Sequence, residues 1–155
     1  MMAKMLLVTQ CPIHYKMANN NDNENLLGQL IEAENSHDIE RLVSLLTDDV
    51  VIENIPLGVV MKGKDAVRQG YAGFFKVTPD SKIEPKSWII TDKLFASEVI
   101  FTGTQKEDLP GLAATGKSFY TRVCSFGEFE NGKIKGRRDY WDSASLVKQQ
   151  SGESI

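Results

Sequence analysis

Residues 135–142, KGRRDYWD, bring two arginines, two carboxylates and two aromatic rings into six consecutive positions, 137–142. On a strand, side chains alternate between faces, so Arg137, Asp139 and Trp141 share one side and Arg138, Tyr140 and Asp142 the other. Burial in an apolar cavity disfavours the charged form of a carboxylate and makes it a competent general acid or base near neutrality. Asp139 is therefore the candidate for proton transfer; its alternative is a structural ion pair with Arg137 or a neighbouring strand. Arg137, two residues away on the same face, either stabilises a developing enolate or snorkels to a solvated rim. A guanidinium so close opposes the effect of burial on the carboxylate, so the two influences compete.

Other segments supply partners of the same kind. In VVIENIP, Ile52 and Asn54 oppose Val51, Glu53 and Ile55. Asn54 either orients a water or a substrate carbonyl, or satisfies backbone groups beside Pro56. In KLFASEVIFTGTQ, Phe95, Ser97, Val99, Phe101 and Gly103 form one face; in KSFYTRVCSFGEFE, Phe119, Thr121, Val123 and Ser125 do. With Tyr71 and Phe75 from a helix, and with Ile52 and Trp141, these make a mostly hydrophobic lining with a few polar groups, the usual make-up of a small-ligand pocket. Aromatics at such spacing equally serve a plain core. The opposite faces carry Glu98, Arg122, Arg138 and Tyr140 and suit solvent, helix edges or a dimer contact. Parity does not say which face turns inward.

The remaining reactive residue types are few. His14 lies in the N-terminal lead-in and His37 in a turn between helices, where a surface role is expected. Gln105, at a loop base, either donates to a ligand or is simply exposed. Cys11 and Cys124 have neither metal-type spacing nor the count of a disulfide framework, which points to a reducing cytoplasm. No metal or nucleotide motif is present, and Gly127 and Gly132 read as lone strand and turn glycines.

The elements that must position these residues follow from periodicity. LLGQLIEAENS from Leu26 and IERLVSLL from Ile39 read as two helices joined at SHD. VVIENIP is a short strand ended by Pro56, and GKDAVRQGYAGFF a third helix with Asp65 in its first turn. Four strands follow, with a connection at Thr91-Asp92-Lys93 and a hairpin at Asn131-Gly132. SASLVKQ forms a C-terminal helix with Ser143 as its expected N-cap. Helices first and then consecutive strands mean α+β, with three to four helices packed on a highly curved antiparallel or mixed sheet around an internal cavity.

The bulk numbers fit one domain. The chain has 155 residues, 41% hydrophobic and 25% charged, with a net charge of −3. That balance carries no nucleic-acid footprint, and no apolar run approaches the ~20 residues of a membrane span. Residues 1–23 read as an extension, within which Met17 is a second candidate start; 24–150 form the domain and 151–155 a tail. The N-terminal run is short and has no small-residue cleavage site, so it is not expected to be a signal peptide.

Several stretches resemble the nuclear transport factor 2-like superfamily, and within it the SnoaL-like polyketide cyclase and limonene-1,2-epoxide hydrolase branches. IENIPLG, KGKDAVRQGYAGFF, ATGKSF and NGKIKGRRDYWD carry the resemblance, over roughly residues 25–149. It implies a cone-shaped α+β fold with an internal cavity, a homodimer through the sheet, no cofactor, and the face of Arg137, Asp139 and Trp141 turned inward. The epoxide hydrolases it resembles use a last-strand aspartate, an Arg-x-Asp pair and a Tyr-x-Asn. Asp139 and Asn54 match, but Ile52 stands at the tyrosine position and Val99 and Phe101 at the Arg-x-Asp positions. The cyclases need only the last-strand aspartate. Gly103, Thr104, Gly111, Thr115, Gly116 and Lys117 match their long hairpin, with Gln105 where many members carry histidine. The resemblance thus implies an isomerase- or cyclase-type acid–base catalyst on a small hydrophobic carbonyl compound. Its alternatives are a non-catalytic ligand-binding member and an epoxide hydrolase with an incomplete site.

Overall fold

A computed structural model describes residues 21–108 and 113–151. His14, Cys11, Met17 and Gly111 lie outside the described residues. Helix α1 (Asn21–Ser36) begins inside the expected lead-in. Asn23 is buried there, and its amide donates to the Thr91 and Asp92 carbonyls at 3.0 and 3.2 Å. Leu26, Leu27, Leu30 and Ala33, one helical stripe, face the core. Helix α2 (Ile39–Ser44) is capped by Asp38, whose carboxylate accepts from the Arg41 amide at 2.9 Å.

Strand β1 (Leu46–Asn54) starts earlier than the apolar run VVIENIP implies. Leu46 and Val50 are fully buried, and the register with the last strand shifts between Leu46 and Val51. A short strand β2 (Val59–Lys62) follows; periodicity gave no sign of it because most of its side chains are exposed. Then come α3 (Gly63–Val77), β3 (Lys82–Ile90), β4 (Leu94–Thr104), β5 (Ser118–Glu130), β6 (Lys133–Trp141) and α4 (Ser143–Ser151). Helix α4 reaches into the expected tail. Its cap is Asp142 rather than Ser143: the Asp142 carboxylate accepts from the Ser145 amide at 3.1 Å and from its hydroxyl at 2.6 Å.

The six strands form one sheet in the order β2-β1-β6-β5-β4-β3. β1 and β6 are parallel and the other pairs antiparallel, so the fold is the expected α+β with a mixed sheet. The sheet does not close on itself. Its free edges are β2 and β3, and Pro85, which cannot donate to a ladder, sits in β3 at a register shift. The parallel pairing decides the site, because it brings Asn54 beside Asp139 and Ile52 beside Arg137 from segments more than 80 positions apart. Asn131 and Gly132 both adopt positive φ, 52° and 72°, in the tight turn joining β5 to β6.

Candidate functional site

β5 alternates buried and exposed positions along its length. Phe119, Thr121, Val123 and Ser125 therefore line one side, and antiparallel pairing sets them beside Gly103, Phe101, Val99 and Ser97 of β4. On the other flank Ser125 faces Asp139 and Val123 faces Trp141. Helices α1 and α3 lie over this side of the sheet and leave between them a cavity of about 760 Å³. Ile52, Tyr71, Phe75, Phe95, Val99, Phe101, Phe119, Thr121, Val123 and Trp141 all border it, as do Asn54, Arg137 and Asp139. Its wall is predominantly hydrocarbon and aromatic ring, including Phe74, Trp88 and Met61.

The buried charge of the cavity wall is gathered at one place. The Ser125 hydroxyl donates to Asp139 Oδ1 at 2.6 Å, and Arg137 Nε lies 3.1 and 3.2 Å from the two Asp139 oxygens. Arg137 does not snorkel to a rim. Its other two nitrogens donate to Glu34 Oε1 at 3.0 Å and to the Tyr71 hydroxyl at 2.7 Å, and the side chain is only 13% exposed. Tyr71 in turn donates to Glu34 through a short hydrogen bond. One guanidinium thus joins two carboxylates and a phenol in an otherwise apolar space. Such burial is tolerable because every nitrogen of the cation finds an acceptor.

Burial pushes the Tyr71 phenol well above its ordinary range; Arg137 opposes this, and the Glu34 and Asp139 carboxylates add to it. Burial works against the Arg137 charge, but Asp139, Tyr71 and Glu34 outweigh it and raise its pKa well above the ordinary value. Asn54 is engaged as well, its Oδ1 accepting from the Trp141 indole at 3.0 Å.

Glu34 escaped the sequence reading, although its signal was present. It falls seven positions after Leu27 and four after Leu30, on the apolar stripe of α1, where an acid needs a partner. Val99 and Phe101, at the positions of the Arg-x-Asp pair, are apolar wall on β4, and the second carboxylate beside Arg137 comes from α1.

Two expectations are corrected. His37 is not a surface residue: it is half-buried, stacked on Phe75 at 4.1 Å, with Nε2 3.0 Å from the Ser81 hydroxyl. Gln105 is 2% exposed and donates to the Glu107 carbonyl, because the chain after β4 folds back over the end of α3. Gly127 is a strand glycine, as expected, and its position is closely packed. A Cβ there would lie 2.3 Å from the Phe95 ring and 2.5 Å from the Gly136 carbonyl. Among the described residues, no cluster of three or more His, Cys, Asp or Glu side chains could hold a metal ion. No helix among them is long and apolar enough to cross a membrane.

A family model described as SnoaL-like polyketide cyclase matches residues 24–150. Solved structures share the architecture at low identity. A SnoaL-like protein of Jannaschia sp. CCS1 superposes with a TM-score of 0.78 at 11% identity, over 90% of this chain and 100% of that one. IdmH of Streptomyces antibioticus, a candidate polyketide cyclase, gives 0.72 at 20%, over 83% and 97%. A protein of ketosteroid isomerase-like fold from Catenulispora acidiphila, crystallised with trimethylamine, gives 0.73 at 13%, over 81% and 92%. At these identities the likeness is one of fold.

Proposed function

The chain belongs to the SnoaL-like polyketide cyclase family, and on that premise we propose a cofactor-independent acid–base catalyst of the isomerase or cyclase type. Its substrate is a small hydrophobic carbonyl compound held in the cavity. The observation that carries the reading is Asp139, a carboxylate with a 13% exposed side chain at the polar end of an apolar chamber. Its oxygens accept from Ser125 and Arg137, and each carboxylate oxygen retains a further lone pair for an incoming proton.

In this reading Asp139 removes a proton from the carbon next to the substrate carbonyl. It returns that proton to another atom of the same molecule after the double bond has shifted or a new carbon–carbon bond has closed. Asn54, its oxygen occupied by Trp141, offers its amide nitrogen to the enolate oxygen. Arg137 is a positioning residue, since its three nitrogens are committed to Asp139, Glu34 and Tyr71.

The test is a panel of carbonyl and epoxide compounds offered to wild type and to Asp139→Asn. Turnover of a carbonyl compound should fall by about 10²–10⁴-fold in the variant, the usual worth of a positioned acid or base. Turnover unchanged by the substitution overturns the mechanism. Epoxide hydrolysis is the second reading, favoured by one observation: Glu34 supplies a carboxylate joined to Asp139 through Arg137. Turnover of epoxides alone would select it. Binding without turnover would leave a ligand-binding member of the family.

Two further features belong to this proposal. The sheet face opposite the cavity exposes Tyr120, Phe126 and Tyr140 around the Arg122–Glu98 ion pair, and a second copy of the chain packs there as a homodimer. The exposed thiol of Cys124 on the same face suits a reducing, cytoplasmic setting.

A further inference from the structure

We infer that the cavity has a second polar end, formed by Ser81 backed by His37, which reads a hydroxyl or carbonyl oxygen on the part of the ligand distal to Asp139. This rests on the reading of the cavity as a ligand site. It adds a requirement on the ligand, an elongated apolar body with an oxygen at each end.

Ser81 borders the cavity and is 3% exposed, and its hydroxyl lies 3.0 Å from His37 Nε2. His37 occupies left-handed backbone, φ 56°, where glycine or asparagine would be less costly. A histidine held there has its imidazole placed by two contacts, the Phe75 ring at 4.1 Å and Ser81.

The distance from Asp139 follows from the register. Ser97 faces Ser125, which faces Asp139 across the sheet. Six positions further along β4 is Gly103, where an added Cβ would lie 3.5 Å from the Ser81 Cα. Six residues of strand span at most about 20 Å, and the two strand spacings from β4 to β6 add about 10 Å sideways, with Phe101 on the wall between.

The chemistry of the pair fixes what it can bind. With the imidazole nitrogen as acceptor, the serine proton points at it and the serine oxygen accepts from a ligand hydroxyl. With the nitrogen protonated, the serine proton is released toward a ligand carbonyl. Either way a single neutral oxygen is satisfied, and a purely apolar end gains nothing.

The test compares para,para′-dihydroxystilbene with para-hydroxystilbene, read by quenching of Trp88 and Trp141, which both border the cavity. One added hydrogen bond should make the diol bind about three- to tenfold more tightly to wild type. Ser81→Ala and His37→Gln should each bring the two affinities together. Ser81→Ala deletes a single oxygen, so it carries the test even where His37→Gln fails to fold. Equal affinities in wild type, or a preference that survives Ser81→Ala, overturns the second polar end alone. If neither probe quenches, the ligand-cavity reading falls with it.

Discussion

Asp139 owes its surroundings to a chain of donors that begins on another element. Arg137 is held by Glu34 and Tyr71, so removing Glu34 leaves a buried cation short of one acceptor and a phenol without its own. Glu34→Ala should therefore destabilise the protein by about 3–5 kcal/mol, as when one member of a buried ion pair is deleted. Urea denaturation measures this, and a loss near zero would mean that water or a rearranged side chain takes over. Tyr71 gives an alkaline signature. Its phenol is raised, chiefly by burial, so the stability gained by keeping it protonated is complete below its ordinary range near pH 10. That stability is lost as the pH climbs through that range toward the folded value. Folded wild type and Tyr71→Phe should show equal phenolate absorbance at about pH 11, and the extra phenol should ionise only on unfolding. An excess of one phenolate in folded wild type would contradict this.

At the level of strands and helices, close approach is what the fold demands. Gly127 lies between Phe95 on β4 and Arg137 on β6, and the Gly136 carbonyl leaves its Cβ position no space. Gly127→Ala should cost about 1–3 kcal/mol, because a backbone carbonyl cannot turn aside as a ring can. Thermal or denaturant midpoints measure it, and an unchanged midpoint would show that β6 can shift. The end of α3 is tied to β4 by Asp80, which accepts from the Thr104 amide at 2.8 Å and its hydroxyl at 2.7 Å. The hydroxyl hydrogen bond first, and then the amide, hold the Asp80 carboxyl below its ordinary range. Its contribution is present above about pH 4 and is lost as the pH falls through the lowered value. Asp80→Asn should flatten the acid side of the stability profile and leave the neutral side with a constant offset. A wild-type acid slope in Asp80→Asn would assign that slope to other carboxylates.

For the molecule as a whole, the sheet has two unlike faces. The inner one is covered in part by α1 and α3 around the cavity. The outer one leaves Tyr120 60% and Phe126 50% exposed, with the Phe126 and Tyr140 rings edge to face at 6.0 Å. Aromatic surface of this kind is characteristic of contact surfaces. Light scattering should give twice the chain mass for wild type, and the double variant Tyr120→Lys/Phe126→Asp should revert to the chain mass with the cavity intact. A monomeric wild type would remove the dimer from the proposal.

The α+β class, the succession of helices and strands apart from β2, and the sharing of one face by Arg137, Asp139 and Trp141 were legible in residue patterns, whereas the inward turn of that face was implied only by the family resemblance. Alternation and helical periodicity are local rules that each segment obeys by itself. Alternation likewise placed Ser125 on the face of Phe119, Thr121 and Val123. Pairing was not legible. That β1 lies parallel to β6, so that Asn54 neighbours Asp139, depends on contacts between distant segments that no spacing records. The same holds for Glu34, Tyr71 and His37. An acid on an apolar stripe, a tyrosine on a buried face and a histidine in a turn are each ordinary in isolation. Only packing of α1 and α3 onto the sheet decided that the first two complete the Arg137 network and that the third backs Ser81. A buried charge or polar group must find its partner in space, and the chain can supply that partner from any position.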